Sequence, residues 1–247
     1  MASVLSVEGI SKSFGGVHAV NQVSLDLREG EVLALAGDNG DGKSTLIKMV
    51  SGVYQPDEGR IVFKGRDITQ RNAREIRELG IETIYQDLAL ADNLDVAANI
   101  FLGREVMGKR LGALPYLDRR HMRAEAREAL KRLGIQVADV ATPVRNLSGG
   151  QRQTIAISRA VYWQAQLLIM DEPTAALGVP EQREVKELIA RLKKTGVAII
   201  FISHNLIDIF DVADRIAVLE RGRLAGIRLA SETNDHEVVK LMMGAEG

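Results

Sequence analysis

The chain of 247 residues has no cysteine. That excludes disulfides, thiolate metal sites and a cysteine nucleophile, and it suits a reducing compartment. Charge of one sign is also lacking. The formal net charge is -1, so no global field draws the protein toward nucleic acid or an anionic membrane. No apolar run reaches the roughly 18 residues that a membrane-spanning helix needs. The first residues, MASVLSVEGISKSF, lack a basic segment followed by an apolar one, so we expect no signal peptide and a cytosolic chain. Internal repeats, low-complexity linkers and sustained heptads are missing as well. What remains is ordinary soluble composition, hydrophobic 46% and charged 26%, in a chain long enough to bury a sizeable core.

The periodicity predicts an α/β protein. VLSVEGI, VHAVNQVSLDL and EVLALAG read as short strands, with turns at Gly15-Gly16 and Glu29-Gly30. VLALAG is nearly all apolar, as a strand covered on both faces should be. STLIKMVSG has helical spacing and stops at Gly52. GRIVFKG reads as a strand, residues 72–79 as a helix, and GIETIYQ as a strand. From about 92 to 147 the pattern is helical with almost no strand signal. There Met122, Ala126, Ala129, Leu130 and Leu133 share one helix face, between an Asp118 N-cap and a Gly134 stop. QLLIMDEP and VAIIFISH then read as buried strands. Between them, Val185, Leu188, Ile189 and Leu192 stripe a helix that starts near Pro180 and ends at Gly196. DRIAVLERG and RLAGIRL suggest a hairpin, DHEVVKLMM a last helix, and GAEG a frayed tail. Alternating strands and helices imply a mostly parallel sheet with right-handed crossovers.

Three stretches carry chemistry. GDNGDGKST, residues 37–45, lies between a strand and a helix. Gly37, Gly40 and Gly42 let the backbone turn its N–H groups inward. Lys43 offers charge to β- and γ-phosphates, and Ser44 a hydroxyl to Mg²⁺. LLIMDE places Asp171 and Glu172 at the C-terminal edge of a buried strand, where open α/β sheets bind ligands. Asp171 is placed for the Mg²⁺ shell and Glu172 to take a proton from an attacking water. LSGGQ, residues 147–151, opens a helix at Ser148, a natural N-cap, and its two glycines leave N–H groups open to an anion.

In this order and spacing, GDNGDGKST, LSGGQ and LLIMDEP resemble the nucleotide-binding subunit of ABC transporters over essentially the whole chain. The resemblance implies a P-loop ATPase fold: a mostly parallel sheet, an N-terminal antiparallel β lobe, and a helical subdomain at about 92–160 within one domain, 1–247. It implies ATP held by Phe14 in KSFGG, which stacks on adenine, and by Gly37, Asp38, Asn39, Gly40, Asp41, Gly42, Lys43, Ser44 and Thr45. Ser148, Gly149, Gly150 and Gln151 of a second subunit complete the site. Mg²⁺ falls to Ser44, Gln86 and Asp171, and catalysis to Glu172, His204, Gln86 and Lys43. NIFLGRE, TPVRNLSGGQRQ and AALGV are similar to the branch that imports monosaccharides.

The implied assembly is a head-to-tail pair of nucleotide-binding subunits, an identical copy being the expected second one. It sits on the cytoplasmic face of the membrane beneath transmembrane permease subunits, which an extracytoplasmic sugar-binding protein supplies. No nucleic acid is expected. The alternatives are an ABC-type ATPase outside transport and a regulatory nucleotide-binding module. Two positions depart from the family pattern. Gly178 stands where an Asp is common, and Asp41 where Ala or Ser is usual. Near a phosphate, at about 4 Å, the Asp41 carboxylate would repel by roughly 4 kcal/mol at an effective dielectric of 20. It is therefore expected to face water, at a modest loss of ATP affinity.

Overall fold

The computed structural model describes residues 3–108, 116–135 and 137–244. They form two compact units. One comprises Met1–Ile84, Ala165–Pro173 and Ile189–Gly247, the other Tyr85–Gln164 and Thr174–Leu188. The segment 92–160 lies inside the second unit, which also takes 174–188.

The first unit opens with the long strands β1 (Ser3–Phe14) and β2 (Val17–Arg28). With β4 (Glu58–Phe63) and β5 (Arg66–Asp67) they make an antiparallel sheet ordered β2-β1-β4-β5. The second sheet contains β3 (Val32–Ala36), β6 (Ile81–Ile84), β7 (Leu167–Asp171), β8 (Ala198–Ile202), β9 (Arg215–Glu220) and β10 (Arg223–Leu229). Its order is β10-β9-β3-β8-β7-β6. All its pairs are parallel except the β9–β10 hairpin. β3 and β8 are buried at every position, which explains their unbroken apolar runs. Helix α1 (Lys43–Val50) buries Leu46, Ile47, Met49 and Val50, in a core shared with Leu5, Ile10, Leu33 and Ile61. Helix α2 (Ala73–Glu78) starts on a capping box in which the side chains of Asn72 and Glu75 each accept from the other's backbone.

The second unit has its own core of Val96, Ile100, Phe101, Met122, Ala126, Leu130 and Ile155. It contains α3 (Val96–Ile100), α4 (Arg119–Arg132) and α5 (Gly149–Tyr162). Asp118 caps α4 through the His121 amide, as expected, and Gly134 takes a positive φ of 65. Leu133, expected on the apolar face, is half-buried at the C-cap. Helix α6 (Val179–Lys194) buries Val185, Leu188, Ile189 and Leu192, the predicted stripe. Two elements are additions to the sequence reading: β5 and α7 (Leu206–Val212), which Asn205 caps. The chain closes on α8 (Asp235–Met242), and most of the tail expected to fray lies outside the described residues.

Candidate nucleotide site

Parallel strands deliver three loops to one edge of the second sheet. The loop after β3 carries GDNGDGKST, β7 ends in Asp171, and β8 leads to His204. The register Met170↔Phe201 and Asp171↔Ile202 aligns the ends of β7 and β8, while Leu35↔Ile202 aligns β3 with them.

Gly37, Gly40 and Gly42 all have positive φ, at 148, 96 and 91. At Gly42 a Cβ would stand 2.2 Å from the Ala19 carbonyl oxygen, so the close approach admits glycine alone. Gly42 is the N-cap of α1 and offers no side chain to its amides. The N–H groups that begin α1 therefore remain for an external acceptor. Ser44 is exposed and Thr45 half-buried at this start, while Asp38, Asn39 and Gly40 are exposed on the loop. Lys43 is buried and donates to the Gly37 and Asp38 carbonyls at 2.6 and 2.8 Å. Burial lowers the Lys43 pKa, opposed by the charges of Asp41, Glu172, Asp38 and Asp171. The ammonium is thus folded onto its own loop, with four carboxylates near enough to bear on its charge.

Asp41 departs from the expectation. It does not face water: it is buried, at 8% exposure. One carboxylate oxygen accepts from the Asp38 amide at 2.5 Å and the other from the Arg221 amide at 2.9 Å. The physical reason is that both N–H groups lie in tight loops without other acceptors, and a carboxylate carries two.

Asp171 and Glu172 are half-buried. Burial, with Glu172 beside it, raises the pKa of Asp171 above the usual carboxylate range, against the pull of Lys43 and Lys48. Glu172 has a φ of 51, a left-handed backbone that a side chain other than glycine rarely adopts. Its amide donates to the Ile202 carbonyl, and its carboxylate meets His204 twice. One oxygen accepts from the His204 amide at 3.0 Å, and the other lies 2.9 Å from Nδ1. The His204 side chain is 72% exposed.

Phe14 ends β1 and is 46% exposed, so it is no core residue. Tyr54 packs edge-to-face on it at 5.3 Å, and Lys48 lies over the Tyr54 ring at 5.4 Å. Tyr54 escaped the sequence reading, because nothing in SGVYQPDEG marks it. Only the fold brings it to Phe14.

In the second unit, Gln86 follows β6 by two residues and is exposed. Ser148 caps α5: its hydroxyl accepts from the Gln151 amide, and the Gln151 side chain accepts from the Ser148 amide. The Gly149 and Gly150 amides, at the head of the helix, have no intrahelical partner. Glu181, also unforeseen, lies against this start. A Cβ on Gly150 would come 2.5 Å from its Cγ, and a Cβ on Gly178 2.6 Å from its Oε2. Glycine at 178 therefore accompanies an acid three residues later that fills the same space.

Residues 20–175 match the family model described as ABC transporter. The chain belongs to the ABC transporter family. As an ABC-type ATPase subunit it binds nucleotide. It is 47% identical over 98% of its length, and 94% of the relative's, to the xylose/arabinose import ATP-binding protein XylG of Sulfolobus acidocaldarius. With the fructose import ATP-binding protein FrcA of Rhizobium meliloti it shares 43% identity, over 98% of this chain and 95% of that one. A solved ABC transporter cassette in its ADP conformation matches with a TM-score of 0.86 and 26% identity, covering 99% of this chain and 100% of that one. The family's fold is therefore present throughout, and the P-loop ATPase architecture expected from the motifs is the one observed.

Among the described residues no three His, Asp or Glu side chains converge as a protein-only metal cage. The donor set fits Mg²⁺ all the same. One carboxylate, Asp171, and one exposed hydroxyl, Ser44, leave most of the coordination to phosphate and water, as that ion prefers.

Proposed function

We propose that the chain is the ATP-hydrolysing subunit of an importer for a monosaccharide, working beneath a separate permease. The observation that carries this is the Glu172–His204 pair, on the sheet edge that also holds Lys43 and Asp171. ATP lies with its base on Phe14 and its phosphates in the loop Gly37–Thr45, where Lys43 exchanges its two carbonyl partners for phosphate oxygens. Ser44 and Asp171 would hold Mg²⁺, which when bound would neutralise phosphate charge and orient the leaving group. Glu172 orients and deprotonates the attacking water. His204, now on Glu172, is exposed enough to swing to the γ-phosphate.

One chain has one phosphate loop and one open LSGGQ helix start. A second copy, head-to-tail, completes each site with the partner's Ser148, Gly149, Gly150 and Gln151. ATP then bridges the two copies and ADP does not, so hydrolysis opens the pair. A groove of about 350 Å³ in the second unit suits the permease. Leu94, Leu102, Leu117 and Met122 line it together with charged side chains such as Asp95 and Arg123. The names of the sugar-import relatives support a pentose or hexose as cargo, and so an extracytoplasmic sugar-binding protein upstream. They also support a place on the cytoplasmic face of the membrane. Among the described residues no helix is long and apolar enough to cross a membrane. A regulatory role with impaired hydrolysis finds no support in a site where Lys43, Asp171, Glu172 and His204 are all present.

The test is Glu172→Gln. It is expected to keep ATP binding, to slow turnover by roughly a hundredfold or more, and to trap an ATP-bound dimer on gel filtration. Full ATPase activity in this variant would remove Glu172 from the mechanism.

A further inference from the structure

Asp41 breaks the usual pattern of the phosphate loop, and the structure gives it an occupation. Its carboxylate receives two amides: Asp38 from its own loop and Arg221 from the β9–β10 turn, 180 residues away. Its backbone joins the same junction. The Asp41 carbonyl accepts from the Gly222 amide at 3.2 Å, and the Gly222 carbonyl accepts from the Asn21 amide of β2 at 2.7 Å. Gly42, next in sequence, is packed on Ala19 of β2. The phosphate loop, the hairpin turn and β2 therefore meet at this residue.

We propose that Asp41 is a positioning residue for ATP, a clasp that holds the phosphate loop in its binding shape before nucleotide arrives. The inference rests on the reading of this loop as the ATP site. Hydrogen bonds to an ionised acceptor are the stronger kind, and both carboxylate oxygens are used. Alanine or serine cannot serve two amides in this fork. Asparagine has one acceptor oxygen and would turn its NH₂ toward the second amide. The clasp also takes the Asp38 amide out of the set that can meet phosphate, and it keeps a negative charge beside Lys43. Loop shape and charge thus pull ATP affinity in opposite directions, which makes the proposal testable.

The experiment compares the full-length wild type with Asp41→Ala and Asp41→Asn in two measurements. The first is amide exchange at Asp38 and Arg221 without nucleotide. Both amides are expected to be slow in the wild type and Arg221 fast in Asp41→Ala, with Asp41→Asn losing one of the two. The second is MgATP binding by calorimetry. Asp41→Ala is expected to weaken it by roughly tenfold, about 1.4 kcal/mol, with the loss falling on KM more than on kcat. Asp41→Asn, which keeps the volume but not the charge, is expected to weaken it too. Unchanged exchange at Arg221, unchanged affinity or tighter ATP in either variant would overturn the clasp. The exchange measurement needs no nucleotide. A wild type that binds no ATP would sink the assignment of the site, while the exchange result still judges the clasp.

Discussion

The two glycine-lined helix starts, α1 and α5, are built in opposite ways. α1 has no side-chain cap, and its buried lysine and buried aspartate are both folded onto the loop. α5 has a reciprocal side-chain cap, with Gly149 exposed and Gly150 buried, and the cation of its first turn, Arg152, is paired with Asp92. The first is furnished with its own charge and clasp. The second supplies oriented amides, with its nearest cation already held by Asp92. The difference teaches how one chain can carry two anion-directed elements that do unequal work. A cradle with its own cation can hold polyphosphate within one subunit. In the proposed assembly, a helix start offering mainly amides would read a γ-phosphate already bound elsewhere.

That contrast can be broken by placing the same methyl group at each start. Gly42→Ala drives Cβ into the Ala19 carbonyl at a φ of 91. It is expected to cut MgATP affinity by roughly a hundredfold, about 2.7 kcal/mol, as read by calorimetry. Gly150→Ala meets a side chain, Glu181, instead of backbone. ATP binding by isolated chains should persist, while turnover at high protein concentration falls roughly tenfold, about 1.4 kcal/mol of barrier. Adding Glu181→Gly should recover most of that turnover, because it removes both the Cγ and the Cβ that stand in the way. The smallest effect belongs to the cap: Ser148→Ala is expected to cost about 1 kcal/mol of stability in denaturant unfolding, with ATP binding by the isolated chain intact. A Gly150→Ala chain that lost ATP binding outright would erase the distinction between the two starts.

Most of the architecture was legible because the chain announces it locally. Alternation marked β1 and β2, solid apolar runs marked β3, β7 and β8, and the stripe of Val185, Leu188, Ile189 and Leu192 marked α6. The elements that escaped are short. β5 has two residues, too few for any period, and α7 has seven, with Ile207 pointing an apolar side chain to solvent. For the candidate site, local sequence pointed to Lys43, Asp171, Glu172 and Ser148. It failed wherever a partner came from far along the chain. The direction of Asp41 is decided by an amide at Arg221, and Phe14 meets Tyr54 only after β1 and α1 have packed. Glu181 lies close in sequence to Gly178, yet its contact with Gly150 depends on how the α6 start lies against α5.

The exposed ring of Phe14, braced edge-on by Tyr54, has a consequence for fuel choice. A phenyl face offers stacking area but no hydrogen-bond donor or acceptor, and every nucleobase presents a π-face to it. Such a platform weighs a nucleotide by ring area and not by the identity of its edge groups. In the proposed site, discrimination would then come from the other end of the molecule, where Lys43 and the open amides of α1 would meet the phosphates. A chain working as proposed would tell a triphosphate from a diphosphate far better than one purine from another.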